Sequence, residues 1–228
     1  MTPSRRARAR LACAGVALSL VAGACSGTRL LTYPTVRVEA ADGSGSELGV
    51  STEYGVVFLG RRVRSGEIDV TVWYGDGPSI EASVVEPVGG DLYTAPMEIV
   101  VPSVGIEFRD PPPDAELVLI GRRGRAQWQE GVELVRLPEV DGALLAVPDA
   151  LAGDATAQTG AGLYVRDEDE DHVLRLYGLV SGRVRLGSGP EAREYLTVVG
   201  PQDLWRLAAH HREHTRGRRW TYREDVVP

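Results

Sequence analysis

Three stretches in the first half of the chain decide the reading of its fold: Tyr54-Gly-Val-Val-Phe-Leu-Gly-Arg-Arg-Val63, Ile68-Asp-Val-Thr-Val-Trp-Tyr-Gly-Asp-Gly77 and Ala82-Ser-Val-Val-Glu-Pro-Val-Gly-Gly-Asp-Leu92. Each carries a short β-branched run, and glycine turns separate the runs. Successive side chains of a strand point to opposite faces, so such runs read as half-buried or fully buried strands. Thr35 to Ala40, Ser79 to Val85 and Pro96 to Val101 extend the pattern on either side. Together they predict one closed or sandwiched β-unit over residues 35–109.

Residues 110–114, Asp-Pro-Pro-Pro-Asp, follow. Three prolines donate nothing to a ladder and hold the backbone extended, which predicts a linker. Beyond it the same pattern returns in Glu116 to Gly121, Ala126 to Arg136, Gly142 to Val147, Gly162 to Arg166, Val173 to Val180, Arg183 to Leu186 and Tyr195 to Val199. These predict a second small barrel of six or so strands over 115–200. Pro201 then stands at a helix start, and Leu204, Trp205, Leu207 and Ala208 recur at helical spacing. One amphipathic helix is expected over 201–215, with a tail over 216–228.

Composition excludes several classes. Of 228 residues, 43% are hydrophobic and 25% charged, and 27 Gly and 14 Pro are scattered without a repeat, so collagen-like, coiled-coil and mostly disordered chains are ruled out. No apolar run approaches the roughly 20 residues of a spanning helix, which excludes a polytopic membrane protein. All 25 basic residues are Arg.

The N-terminus carries the most specific signal. Arg5, Arg6, Arg8 and Arg10 precede the uncharged stretch Leu11 to Ala24, which fits an export signal and is too short to span a bilayer. Ala22-Gly23-Ala24-Cys25 resembles the lipobox of bacterial lipoproteins, with Ala22 where Leu is usual. The resemblance implies removal of residues 1–24, lipidation of Cys25 and a tether over 25–34. The protein would then be exported and lipid-anchored to the cell membrane or outer membrane, facing the periplasm or exterior. The alternative is an ordinary signal peptide with a chance cysteine. Cys13 leaves with the signal, so the mature chain has no disulfide and no Cys-ligated metal. It keeps 21 Arg against 32 acids, a balance of −11 that argues against a nucleic-acid partner.

The order of these segments resembles the trypsin/chymotrypsin-like serine peptidases in the style of the bacterial high-temperature-requirement peptidases. The three opening stretches are similar to that family's run through its catalytic histidine strand, the following hairpin and its aspartate. In the second half, Leu117 to Gly121 with Gly124 resembles the opening of barrel two. Thr159-Gly-Ala-Gly-Leu-Tyr-Val165 looks like the nucleophile loop, and Leu176 to Gly182 like the strand behind it. The resemblance covers about Val36 to His211. It implies two six-stranded antiparallel barrels and puts Asp91 at the aspartate, Thr159 at the nucleophile and Arg61 or Arg62 at the histidine. Gln158, Gly160, Ala161 and Gly162 would form the nucleophile loop.

A triad of Arg62, Asp91 and Thr159 cannot work as a general-base system. A guanidinium has five donors and no acceptor, so it cannot take the hydroxyl proton. Independently of any resemblance, the only histidines are His172, His210, His211 and His214, so the first half contains none. The leading expectation is an envelope lipoprotein with a catalytically inactive peptidase fold, serving as a binding or scaffold module for peptide or protein in the inter-barrel cleft. The alternatives are an unrelated β-sandwich or barrel of structural or adhesive role, and a weakly active serine/threonine-type peptidase with an unconventional base.

No cofactor is expected, for there is no Gly-rich phosphate loop or dinucleotide fingerprint. His210 and His214 stand at metal-ligand spacing on the helix, but a third ligand is not evident. Arg212, Arg216, Arg218 and Arg219 beside them would repel a cation. Asp167 to Asp171, Asp-Glu-Asp-Glu-Asp, reads as a solvated hairpin tip rather than a calcium loop.

Overall fold

The computed structural model describes residues 34–63, 70–73, 79–82, 85–95, 103–124, 126–138, 140, 142–148, 159–166 and 174–215. Cys25 with its signal segment, the tether as far as residue 33, the strand expected at 96–101, Gln158, the acidic run 167–171, His172 and the tail 216–228 lie outside the described residues.

Seven strands form the first sheet: β1 (Thr35–Ala40), β2 (Ser46–Thr52), β3 (Gly55–Phe58), β4 (Val70–Trp73), β5 (Ser79–Ala82), β6 (Glu86–Gly89) and β7 (Leu92–Ala95), paired antiparallel in the order β5-β4-β1-β2-β3-β7-β6. The second sheet holds β8 (Leu117–Arg123), β9 (Ala126–Val132), β10 (Leu134–Val135), β11 (Ala143–Ala146), β12 (Gly162–Arg166), β13 (Leu174–Leu186) and β14 (Arg193–Val199), in the order β10-β11-β14-β13-β12-β8-β9. The expected C-terminal helix is α1 (Pro201–Thr215).

The strand count differs from the expected six per unit for local reasons. Ser46 to Thr52 mixes polar residues and glycine with few β-branched ones, so its sequence hides β2, which pairs on both sides. The run 126–136, expected as one strand, breaks at Glu133: β9 stays beside β8, while β10 pairs with β11. The two strands expected at 173–180 and 183–186 are instead continuous as β13, with a bulge between Val180 and Gly182. Among the described residues each pairing order is an open row rather than a ring.

Period-two alternation sorts the apolar residues into three cores. Along β3 and the residue after it, Val56 and Phe58 enter the first sheet's own core, whereas Val57 and Leu59 enter a shared one. On β8, Leu117 and Leu119 enter a core built mainly by the second sheet, which also takes Leu48 of β2, and Val118 and Ile120 enter the shared one. Strands buried on both faces read as continuous apolar runs, which explains the sequence of both. The shared core joins the sheets and takes Leu204 and Leu207 from α1.

Residues 104–107 run between the sheets and bond to each. Val104 N–H donates to Ser51 O at 3.1 Å, Leu176 N–H to Gly105 O at 2.9 Å and Glu107 N–H to Leu176 O at 2.8 Å. A buried hydroxyl pair adds a further link. Thr35 Oγ1 donates to Ile120 O at 3.0 Å, so its remaining contact at 2.7 Å makes the Tyr164 hydroxyl the donor to Thr35. Burial pushes the Tyr164 phenol well above the usual tyrosine range.

Candidate functional site

Where the sheets meet, four segments surround a cleft of about 520 Å³. β1 and β2 supply Arg37, Ser46, Glu47 and Leu48, the turn after β3 supplies Arg61 and Arg62, the β8–β9 hairpin supplies Arg122, Arg123 and Gly124, and Thr159 comes from the turn before β12.

Glu47 fixes the arginine turn. Its carboxylate is buried and accepts the backbone N–H of Arg61 on Oε2 and of Val63 on Oε1, both at 3.2 Å. Desolvation raises its pKa above the usual glutamate value, and the backbone N–H bonds from Val63 and Arg61 oppose that shift. Gly60 starts the turn at φ +63°, with the Tyr93 ring in the place of any side chain. The chain therefore reverses so that Val63 buries in the first core while Arg61 and Arg62 stay exposed.

Thr159 is held from the other side. Gly160 N–H donates to Val180 O at 2.7 Å, and Val180 N–H donates to Ala161 O at 2.9 Å. Gly160 has φ +85°, and the Leu48 carbonyl occupies the space a Cβ would need. This turn of the second sheet is thus clamped on β2 of the first. Ala161 and Gly162 are buried behind it, Gly162 against the Tyr164 hydroxyl.

Arg62 and Thr159 line one cleft. Asp91, in the tight turn between β6 and β7, is not among its lining residues and pairs with Arg61 instead, Nη2 to Oδ2 at 3.2 Å, both side chains largely exposed. His210 and His211 of α1 stand elsewhere. His210 Nε2 is 3.6 Å from Glu86 Oε2, and the His211 ring lies 5.2 Å from that of Tyr54. Among the described residues lining the cleft none is histidine. Reading the sequence missed Glu47, Arg122 and Arg123. The signals were an acid inside a buried strand and the Gly121-Arg-Arg-Gly124 turn, whose arginines meet the cleft only once the sheets pack.

No protein-family model matches this chain, and no curated protein matches it. Solved structures do. The Rv3671c protease of M. tuberculosis H37Rv, an inactive serine-to-alanine mutant, is 17% identical over 81% of this chain and 89% of its own, with a TM-score of 0.53. Another structure of inactive Rv3671c gives 16% identity, 79% and 90% coverage and a TM-score of 0.52. The serine endoprotease from Yersinia pestis is 14% identical over 79% of this chain and 63% of its own, with a TM-score of 0.54. The fold is therefore the mostly β, two-sheet fold of trypsin-like serine proteases, and an unrelated sandwich is set aside.

Proposed function

We propose that this chain is a catalytically inactive member of the protease fold that binds peptide in the cleft between its sheets and is held at a membrane by lipid on Cys25. One observation carries the reading. The cleft that takes Thr159 is lined by guanidinium groups where hydroxyl activation needs a proton acceptor. Arg62 would occupy the position of the base, Arg61 with Asp91 would form a surface ion pair, and Thr159 would be left as a hydrogen-bonding group. The lipobox-like Ala22-Gly23-Ala24-Cys25 supports the anchor. Two or three acyl chains would make it durable, because each buried methylene contributes ~0.8 kcal/mol.

A fluorophosphonate probe tests the loss of catalysis on the full chain. No labelling is expected, and labelling that disappears in Thr159→Val would overturn the reading. Metabolic incorporation of a fatty-acid analogue, abolished by Cys25→Ser, is the expected result for the anchor. Unlabelled wild-type protein would contradict it.

A further inference from the structure

We infer that the cleft selects peptide segments carrying clustered oxyanions, either neighbouring Asp and Glu carboxylates or a phosphoseryl group. The inference rests on the reading of the cleft as a peptide-binding place and adds the class of peptide. Five of the ten described residues lining the cleft are arginines: Arg37, Arg61, Arg62, Arg122 and Arg123. The whole chain has 25 Arg against 32 acids, so this concentration runs against the balance of the molecule. Among the described residues of the lining the only acid is Glu47, and each of its oxygens is already engaged by a backbone N–H, of Arg61 or of Val63.

The arginines come from three separated segments that the fold brings together, and Arg122 is 7% exposed, so one guanidinium is built into the wall. Like charges gathered in one concavity raise the local concentration of anions. Planar guanidiniums match carboxylate and phosphoryl oxygens in pairs. Arg37 is bound to Glu39 at 2.9 Å and Arg61 to Asp91 at 3.2 Å, but all four side chains are over a third exposed or nearly so. Such pairs contribute little and exchange readily for an incoming anion. The Ser46 and Thr159 hydroxyls add neutral donors at the same wall. A volume of about 520 Å³ falls within the roughly 300–1,000 Å³ of small-ligand sites. That size suits a short peptide segment and not a nucleic-acid duplex, which the acidic remainder of the chain also repels.

The test is fluorescence anisotropy with the full-length chain in a neutral detergent. The probes are a short Asp/Glu-rich peptide, the same peptide with Asn and Gln in place of the acids, a phosphoserine peptide and inorganic phosphate as competitor. Tight, salt-sensitive binding of the acidic or the phosphoserine probe is expected, and which of the two binds identifies the source of the oxyanions. Arg62→Gln and Arg123→Gln change exposed side chains and are each expected to weaken binding about tenfold. Arg185→Gln, exposed on β13, is expected to change nothing. Equal, saturable binding of the neutral peptide would overturn the charge selection and leave peptide binding standing. Inorganic phosphate binding as tightly as either peptide would also overturn the inference. Absence of binding by every peptide would sink the peptide-binding reading itself.

Discussion

Gly160 shows how a single residue ties the two sheets together. With φ at +85° and the Leu48 carbonyl against its α-carbon, Gly160→Ala must move either the Thr159 turn or β2. A loss of about 2–3 kcal/mol in denaturant unfolding is expected, more than Gly→Ala costs where the site is open. At Gly124, also at positive φ but with open space around it, the same change should cost less, and equal costs would contradict the clamp. Glu47 makes a second prediction at this scale. Its folded pKa is raised, so its carboxyl favours folding most fully below the unfolded value near 4.5, and that contribution is lost as pH rises through the folded value. Glu47→Gln should remove this component and flatten the fall of the melting temperature as pH rises above the unfolded value near 4.5, relative to wild type. Parallel profiles for the two proteins would show that the carboxyl is not desolvated as described.

The chain from the Tyr164 hydroxyl through the Thr35 hydroxyl to the Ile120 carbonyl belongs to the same scale and links β12, β1 and β8. Tyr164→Phe removes one buried donor and should cost about 1 kcal/mol, whereas Thr35→Val leaves the phenol unsatisfied and should cost about 2–3 kcal/mol. The double variant should be less destabilised than the sum of the two, and additivity would deny the contact.

Among the elements, the helix and the inter-sheet segment were legible to different degrees. Pro201 and the spacing of the apolar residues identify α1; Leu204, Leu207 and Ala208 are buried as that spacing requires, whereas Trp205, expected in the same stripe, is 51% exposed. Leu204→Ala should cost about 2–5 kcal/mol, because the side chain sits in the core both sheets share. The prolines after Asp110 signal extended chain, but no pattern in them shows that residues 104–107 bond to β2 and β13. Asp110 itself is held by Arg136 at 2.8 Å and by the Tyr177 hydroxyl at 3.0 Å. These partners, Arg136 first, lower its pKa, while burial and the bond to Asp110 push Tyr177 up to about 12. Asp110 therefore contributes stability above its unfolded value near 3.8, and the contribution fades as pH falls through the lowered one. Because the carboxylate is largely exposed, Asp110→Asn should cost no more than about 1 kcal/mol at neutral pH and nothing in strong acid. An equal loss at both extremes would contradict the assignment.

For the molecule as a whole, the sequence exposes most strands because their apolar residues are β-branched and bounded by glycine turns. It hides β2 and the hairpin of β6 and β7, where Ser46, Glu47, Gly49, Pro87, Gly89 and Gly90 dilute the pattern. Less of the candidate site was visible, for only Arg61, Arg62 and Thr159 of its described lining residues stand out in the sequence. Arg62 and Thr159 could be named from segment order, but the gathering of Arg37, Arg122 and Arg123 beside them depends on packing between strands far apart in the chain. The same packing turns a chain with excess acid into one with a basic cleft, and the functional reading depends on that reversal.

That reading is one of binding without cleavage. The most direct measurement incubates the full-length chain with the acidic peptide, recovers the bound fraction and reads its mass. Intact peptide, retained by wild type and about tenfold more weakly by Arg62→Gln, is the predicted result. Fragments formed by wild type and absent with Thr159→Val would show that the threonine acts as a nucleophile and would contradict the account.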